Sequence, residues 1–246
     1  MVHQSRVPTN RLWKQANHAL EGIRMTEISR WVQENPLRYR FLQDFQKLGA
    51  SVLYSAADGI VLKRRRLVYA AGTVSDPALF SDTFAALVCE PSVRDALLGD
   101  GTFRECFDCY QAVYTNGPIP QERTDIQLRQ LTLDDMPFVL QNYHHPGANP
   151  EHISARIAEF MIGAFVDGNC AGFAGVHEEG AIGLLEVVPE YRRRGIAEAL
   201  ESQVINWCLQ NDRLPYCHVL TDNTASLALQ QKLGFTLDPK PLYWLS

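Results

Sequence analysis

One stretch of this 246-residue chain decides its fold: Leu185-Glu-Val-Val-Pro-Glu-Tyr-Arg-Arg-Arg-Gly-Ile-Ala-Glu-Ala-Leu200. Apolar strand residues run into Pro189, which has no amide hydrogen to donate to a β-ladder and therefore indicates where strand pairing stops. A basic turn follows, and Gly195 then precedes apolar residues that recur at helical spacing. The stretch therefore predicts a strand, a basic turn and a helix in direct succession.

The start of that helix is suited to bind a phosphate or pyrophosphate group. The first amides of a helix have no acceptor within the helix, and the helix dipole favours negative charge there. Gly195 has no side chain to obstruct a ligand, small Ala197 allows close helix packing, and the arginines attract anions. The alternative is an ordinary strand–turn–helix joint with surface arginines, since short motifs often match by chance.

The sequence around this stretch predicts a mixed α/β unit. Strands are predicted at residues 126–131, 162–166, 170–177, 181–188 and 216–221 and through Tyr243, and helices at residues 150–160, 195–209 and 223–233. Short turns at Asp167-Gly168 and Glu179-Gly180 join the middle strands, which makes neighbouring strands antiparallel. The pattern predicts an α/β fold of the α+β type, with a mixed, largely antiparallel sheet flanked by helices.

Two motifs in this half resemble the signatures of a known family. The first joins Val187-Val188-Pro189 to Arg192-Arg-Arg-Gly-Ile-Ala197, a hydrophobic-Val-x-Pro run followed by Arg-x-x-Gly-x-Ala. The second is Asn223-Thr-Ala-Ser226 followed by Lys232-Leu-Gly-Phe235. With their spacing and order of elements, they resemble the GNAT superfamily of acetyl-CoA-dependent N-acetyltransferases over residues 124–246.

The resemblance implies a site for acetyl-CoA as acyl donor. The pantetheine arm would lie between the strand that carries Val187 and Val188 and the predicted strand at residues 216–221. Backbone amides of residues 193–197 would hold the pyrophosphate, and Asn223 would lie near the pantetheine or the thioester sulfur, although it is also a good helix N-cap. The residues expected to bind the cofactor are Val187, Val188, Arg192, Arg193, Arg194, Gly195, Ile196, Ala197, Asn223 and Ser226.

The resemblance also implies direct attack of a neutral primary amine on the acetyl thioester. A base is required because primary amines are mostly protonated at neutral pH. A backbone amide near Val187 or Val188 would stabilise the oxyanion. Many family members have a carboxylate where this chain has Ala181 and a tyrosine general acid where it has Gln230, whose carboxamide cannot act as an acid near neutral pH.

Three side chains are candidates for catalytic roles. Glu186 is the preferred base, acting directly or through water, and its alternative is a strand carboxylate that faces solvent. His218, on the neighbouring strand, is the second candidate, with a packed or surface histidine as the alternative. Tyr243 is the third, because the C-terminal segment could approach the acceptor site.

The expected acceptor is a primary amine of a small molecule or an exposed peptide. His144, His145 and His152 lie in the region that usually shapes the acceptor pocket of this family. No ligand set with convincing spacing accompanies them, so no metal is expected. The alternative function is a non-catalytic acyl-CoA-binding module, because the usual carboxylate and tyrosine are both missing. A homodimer is common in the family and is left open here.

A predicted linker divides the chain. Residues 115–123 combine one glycine and two prolines with charge and lack apolar periodicity, which separates an α/β domain at residues 1–123 from a GNAT domain at residues 124–246. The first part predicts helices at residues 12–23, 28–32 and 37–48, three strands, a helix opened by Asp76-Pro77, and a strand at residues 103–114. We expect a degenerate GNAT-like unit without a counterpart of residues 192–197, similar to acyltransferases related to glycine N-acyltransferase.

Composition excludes several classes of protein. Hydrophobic residues make up 46% of the chain, which is enough for a sizeable core. Its 23 Lys and Arg against 28 Asp and Glu give a net charge of −5, which disfavours nucleic-acid binding. No apolar run approaches the ~18 residues of a membrane span, and the first residues do not resemble a secretory signal. Six scattered cysteines, including a lone Cys106-x-x-Cys109, are typical of reduced thiols in a cytoplasmic protein.

Overall fold

A computed structural model describes residues 28–115, 125–145 and 148–246. Residues 28–34 are helical, and the later helices are α1 (Pro36–Tyr39), α2 (Phe41–Lys47), α3 (Pro91–Gly99), α4 (Met136–Asn142), α5 (Pro150–Phe160), α6 (Ile196–Gln210) and α7 (Thr224–Leu233). The strands are β1 (Ser51–Ser55), β2 (Gly59–Arg64), β3 (Leu67–Gly72), β4 (Ala85–Val88), β5 (Cys106–Tyr114), β6 (Gln127–Gln130), β7 (Met161–Val166), β8 (Asn169–Val176), β9 (Ile182–Val187), β10 (Tyr216–Leu220), β11 (Phe235–Leu237) and β12 (Leu242–Leu245). The helix predicted at residues 12–23 and positions 116–123 of the predicted linker lie outside the described residues.

The described strands form two sheets. The larger has the order β1-β2-β3-β4-β12-β5-β10, with β11 also paired to β5, and the smaller has the order β6-β7-β8-β9. The β3–β4 pair is parallel and the other paired neighbours are antiparallel. With helices on the sheet faces, this is the mixed, largely antiparallel α/β fold that the sequence predicts.

Two strands are exchanged across the predicted linker. β5 precedes the linker but pairs with β10 and β11, which follow it. Conversely, β12 from the end of the chain lies between β4 and β5. The parts of the chain before and after the linker therefore share one continuous sheet, and the boundary at residue 123 stays a proposal.

A buried ion pair reinforces the same junction. The guanidinium of Arg38 lies 2.7 Å from the carboxylate of Asp238, and both side chains are almost fully buried. The guanidinium also donates to the carbonyl oxygens of Cys89, Lys240 and Pro241. One side chain near the start of the described chain thus holds both the end of β4 and the segment that leads into β12.

The segment after Asp76 corrects one local prediction. Asp76 and Pro77 open only a short 3-10 helix, Pro77–Phe80, in which the Asp76 side chain accepts the amide of Ala78 at 3.0 Å. The chain then enters β4, a strand that the sequence did not indicate. β4 is four residues long and is formed by parallel pairing with β3, so its existence depends on a partner that local periodicity does not reveal.

The smaller sheet is covered on both faces. α6 packs on one face with Leu200 and Val204 in a core shared with Ile182 of β9. α4 and α5 cover the opposite face with Val139 and Ile153, in a core shared with Leu184 of β9. β9 therefore separates a face covered by α6 from a face covered by α4 and α5. Within the described residues, no helix combines the length and apolar character needed to cross a membrane.

Candidate active site

β9 is interrupted by a bulge near its centre. Leu184 and Leu185 of β9 together oppose Ala174 of β8, where the register of the two strands shifts. Leu184 has a φ of 48°, in the left-handed region that residues with a side chain seldom adopt. A bulge disrupts the ladder locally and re-aims backbone groups, which is why bulges often occur beside active sites. The bulge lies upstream of Val188, whose amide donates to the carbonyl of Ala171 at 3.0 Å.

The turn after β9 leads directly into α6, whose first amides are not capped by a side chain. Two of its residues are left-handed, Arg193 with φ of 61° and Gly195 with φ of 78°. Gly195 is the N-cap residue of α6, and no side chain hydrogen-bonds the first amides. The first backbone bond into the helix runs from Ala199 N–H to Gly195 O, at 3.0 Å. The amides that precede Ala199 in α6 therefore have no acceptor within the helix.

A cleft of about 200 Å³ lies at this helix start. Of the residues expected to bind the cofactor, the ones that line the cleft are Val187, Arg192, Arg193, Gly195, Ile196 and Ala197. α7 contributes Leu229 and Lys232 to the opposite wall. The structure thus brings the first sequence motif together around one cavity that reaches from the end of β9 to the amino end of α6.

Arg192 folds back from the turn onto β9. Its Nε donates to the carbonyl oxygen of Val187 at 2.9 Å, and its Nη2 lies 3.1 Å from Oε1 of Glu186. The Arg192 side chain is 57% exposed, so this ion pair lies at the mouth of the cleft rather than inside the core. The preferred base of the sequence prediction is therefore an ion-paired carboxylate.

Four expected cofactor residues lie outside the cleft lining. Val188 is hydrogen-bonded to the neighbouring strand, and the guanidinium of Arg194 lies over the ring of Tyr191 at 5.4 Å. Asn223 caps α7, because its Oδ1 accepts the amide of Ser226 at 3.1 Å. This bond is the capping role that the sequence left open for Asn223, and it leaves the side-chain amide hydrogens of Asn223 available.

Gln230 occupies a buried position between α7 and α6. It is 2% exposed and faces Glu201 of α6, which is also 2% exposed. Burial raises the pKa of Glu201 to about 7, and a hydrogen bond from Gln230 opposes that shift. One oxygen of each side chain is buried without a hydrogen-bond partner. Glu201 was missed by sequence reasoning, although a carboxylate next to the apolar face of α6 is a detectable signal.

Polar side chains gather on the α4–α5 face of β9. The ring of His177 packs over β9 so closely that a Cβ on Gly183 would lie 2.2 Å from its Nε2. Burial lowers the pKa of His177 to about 3, and the nearby His145 and His152 lower it further. The sequence expected those two histidines to shape the acceptor pocket, and the structure places them with His177 on this face.

Tyr143 links this histidine group to two carboxylates. Its ring stacks on His145 with centroids 5.7 Å apart. Burial raises the pKa of Tyr143 to about 12, and the negative charges of Glu179 and Glu186 contribute. The phenol therefore lies near both carboxylates. Neither Tyr143 nor Glu179 was singled out from the sequence, because each becomes notable only when chain folding makes it a neighbour of β9.

His218 lies in an aromatic cage on β10. Its Nε2 is 3.0 Å from Oε1 of Gln111, and its Nδ1 is buried without a hydrogen-bond partner. The rings of Phe41, Tyr216 and Trp244 surround it at centroid distances of 5.5 to 5.9 Å. Burial lowers the pKa of His218 to about 3, so the imidazole is neutral at physiological pH.

Tyr243 lies apart from the cleft. It is a β12 residue that pairs with Val88 and Asp108, and its ring packs in the core formed by the first part of the chain. The guanidinium of Arg94 lies 4.4 Å from the ring centroid. The structure therefore does not bring Tyr243 together with Glu186, whereas the charge of Glu186 does act on Tyr143. Across the described ranges, no group of three or more His, Cys, Asp or Glu side chains could hold a metal ion.

The chain matches a family model and several solved structures. Residues 126–235 match the model described as the acetyltransferase (GNAT) family. A Drosophila protein is similar over 89% of this chain and 94% of its own, with a TM-score of 0.67 and 13% identity. No match is found among curated proteins.

Two bacterial structures have the same fold. A putative GNAT-family acetyltransferase from Novosphingobium aromaticivorans matches 85% of this chain and 95% of its own, with a TM-score of 0.57 and 19% identity. A GCN5-related N-acetyltransferase-like protein from Streptococcus suis matches 84% of this chain and 100% of its own, with a TM-score of 0.56 and 13% identity. At these identities the likeness concerns the fold alone, and it extends well beyond residues 126–235 into the first part of the chain.

Proposed function

We propose that this chain, whose residues 126–235 match the GNAT acetyltransferase family model, moves an acetyl group from acetyl-CoA to a primary amine. Family and fold support acyl transfer in general. The observation that carries the specific proposal is the cleft between β9, the start of α6 and α7, because six residues of the first motif line it. Fold alone would not justify an activity, since one fold serves many functions.

Binding of the donor would rest on the start of α6. The free amides there and the helix dipole would hold the pyrophosphate, while Arg192 and Arg193 at the cleft would add positive charge. Gly195 leaves the approach open and adopts its φ of 78° without the cost that another residue would incur. The apolar side chains of Val187 and Ile196 would contact the pantetheine arm.

The β9 bulge is the proposed oxyanion site. Backbone amides at Leu184 and Leu185 lie where the ladder with β8 is disrupted, and a fixed amide dipole stabilises developing negative charge without reorganisation. This position differs from the donor expected near Val187 or Val188, of which the Val188 amide donates to the carbonyl oxygen of Ala171. Holding the thioester and amine together beside this bulge would contribute a large share of the rate, since well-oriented reactions gain as much as ~7–11 kcal/mol.

Of the three proposed catalytic side chains, Glu186 has the best position. It lies on β9 beyond the bulge and near Tyr143, although Arg192 neutralises its charge. His218 is neutral and could accept a proton only from a strongly acidic group, because its pKa is near 3. Tyr243 is buried in a different core. Glu186 is therefore proposed to attract and orient the amine.

A non-catalytic acyl-CoA-binding module remains the second candidate function. The observation that favours it is the buried position of Gln230, whose carboxamide faces Glu201 rather than the cleft and cannot serve as an acid. In that case the cleft would bind the donor while no group completed the transfer.

Calorimetry and a thiol-release assay separate the two functions. The purified chain should bind CoA and release free thiol from acetyl-CoA in the presence of primary amines, and mass spectrometry should find the acetylated amine. CoA binding without thiol release across small amines and lysine-containing peptides would favour the binding module. Failure to bind CoA would contradict both functions.

A further inference from the structure

We propose that Glu179 is the proton acceptor for the amine, and that the acceptor is a small primary amine which enters as a cation. The inference rests on the proposed acetyl transfer and deepens it. Glu179 lies in the turn that joins β8 to β9, two residues before Ala181. The turn is closed by hydrogen bonds from His177 N–H to Ala181 O at 2.8 Å and from Gly180 N–H to His177 O at 3.0 Å.

Three tyrosines from different elements surround Glu179. Tyr216 of β10 donates its hydroxyl to the carbonyl oxygen of Glu179 at 2.8 Å. Burial raises the pKa values of Tyr69 on β3, Tyr143 at the end of α4, and Tyr216, and the negative charge of Glu179 contributes to each shift. The carboxylate therefore lies at a point where both parts of the chain meet, with phenols as its neighbours.

The charge of Glu179 is not balanced by an ion pair. The neighbouring carboxylates are all engaged: Glu178 with Arg64 and Arg65, Glu159 with Arg156 and Arg213, Asp44 with Arg213, and Glu186 with Arg192. Among the described residues, no cation lies within ion-pair distance of the Glu179 carboxylate, and the side chain is only 8% exposed. A buried anion without a partner favours a cationic ligand, and an ammonium group has the required charge and donors.

Burial also gives this carboxylate the affinity for protons that a base needs. It raises the pKa of Glu179 to about 7; the nearby charges of Glu178 and Glu159 act in the same direction, and Arg156 and a backbone hydrogen bond oppose them. A base is most effective when its pKa is close to the working pH. By contrast, Glu186 lies at the mouth of the cleft in contact with Arg192.

Glu179 precedes the β9 bulge along the chain, and Glu186 follows it. The charges of both carboxylates act on the Tyr143 phenol, whose ring packs against Phe173 of β8 at a centroid distance of 6.3 Å. Along the chain, the bulge at Leu184 is therefore flanked by one carboxylate that is ion-paired and one that is not. An amine between them would face the proposed oxyanion amides.

The proposed step balances in protons and electrons. The ammonium group transfers one proton to the Glu179 carboxylate, and the freed nitrogen lone pair forms the C–N bond with the thioester carbon. As the tetrahedral intermediate collapses, the C–S bond breaks and the sulfur takes its electron pair. The thiolate receives the second nitrogen proton through water, and the Glu179 carboxylic acid releases its proton to solvent.

The test compares pH profiles of kcat/KM for three forms of the full chain: wild type, Glu179→Gln and Glu178→Gln. With a strongly basic amine such as cadaverine, the wild type should lose activity below a pH of about 7. Glu179→Gln should lower kcat/KM by about 100-fold or more and remove that acidic limb, because general-base catalysis contributes factors of about 10² to 10⁴. Glu178→Gln alters the adjacent carboxylate of the same turn, and its kcat/KM should remain within about twofold of the wild-type value, as expected for a partly exposed ion pair. CoA affinity should be unchanged in both variants.

A second acceptor separates loss of the base from loss of structure. Hydroxylamine is largely neutral at pH 7 and needs no deprotonation before attack, so the defect of Glu179→Gln should shrink to a few-fold with it. If Glu179→Gln does not fold, the wild type decides: at pH values above the pKa of hydroxylamine, the acidic limb should be present with cadaverine and absent with hydroxylamine. If Glu179→Gln releases thiol with the same acidic limb as the wild type, Glu179 is not the base, but the proposed acetyl transfer stands. If the wild type releases no thiol with any amine, the proposed function itself is overturned.

Discussion

Arg192 binds the end of the strand that precedes it: its Nη2 lies 3.1 Å from Oε1 of Glu186, and its Nε donates to the Val187 carbonyl at 2.9 Å. The Arg192 side chain thus places positive charge at the mouth of the cleft and forms an ion pair with a carboxylate of β9. The motif arginine has a structural role in this chain as well as its expected role towards the anionic donor.

Replacement of Arg192 by methionine should weaken CoA binding by about threefold to tenfold, since a partly exposed charge contributes modestly to affinity. It should also reduce the dependence of that affinity on ionic strength. Isothermal titration at two salt concentrations measures both effects. Arg66→Met is the matched control, because Arg66 is a similarly exposed, ion-paired arginine in the turn between β2 and β3. Equal affinities for the two variants would contradict the placement of the donor in this cleft.

Replacement of Gly195 by valine should abolish detectable CoA binding, because the side chain would intrude on the cleft where the first amides of α6 are presented. Gly101→Val is the matched control: Gly101 has the same φ of 78°, and a Cβ added there would meet no other atom within 4 Å. Both variants should lose about 1–2 kcal/mol of stability from the left-handed backbone. Only Gly195→Val should lose CoA affinity, as measured by titration of folded protein. Retained affinity in that variant would contradict the pyrophosphate site.

Glu201→Gln should stabilise the fold at high pH. The folded-state pKa of Glu201, about 7, lies above its ordinary value of 4.5, so the native state holds the proton more tightly than the unfolded state. The wild type therefore loses stability as pH rises from 4.5 through 7, by about 3 kcal/mol in total. The variant keeps the contact with Gln230 without that cost. Urea unfolding should show a higher free energy of unfolding for the variant at pH 8 and little change at pH 5. Equal changes at both pH values would argue against a raised pKa of Glu201.

Loss of the Arg38 guanidinium should strongly destabilise the shared sheet. Arg38→Met would leave the buried Asp238 carboxylate unpaired and three carbonyl oxygens without a donor, which typically costs about 3–5 kcal/mol. The double variant with Asp238→Asn should recover part of this loss, because it removes the isolated charge. Urea unfolding of single and double variants gives the coupling energy. A single variant with wild-type stability would show that the pair does not hold β12 in place.

Local sequence was sufficient for the motif turn and its helix. Pro189, Gly195 and the apolar spacing of α6 act within fifteen residues of one another, so the elements and most of the cleft lining could be predicted. The cap at Asn223 was likewise open to prediction, since a cap bonds an amide three residues away. β4 was not, because a short strand exists only when its partner is present.

The charged residues of the site divide in the same way. Glu186 and Arg192 belong to the motif and were found from the sequence, yet their ion pair became evident only from the geometry of the turn. Glu179 and Glu201 carry no motif. Their importance comes from burial, which depends on neighbours such as Tyr69 and Tyr216 that are distant along the chain. A sequence shows that a carboxylate is present, but its desolvation is a property of the packed fold.

The sequence by itself predicted the resemblance to the GNAT family, the α/β class and the turn proposed to receive the donor, because short-range backbone and side-chain chemistry encodes each of them. Tertiary structure alone decided that β5 and β12 exchange places across the predicted linker, and that Arg38 reaches Asp238 from 200 positions away. It also decided which carboxylates are buried away from solvent. Strand pairing and burial are interactions between segments that the order of residues does not bring together, so they are settled only when the chain has packed.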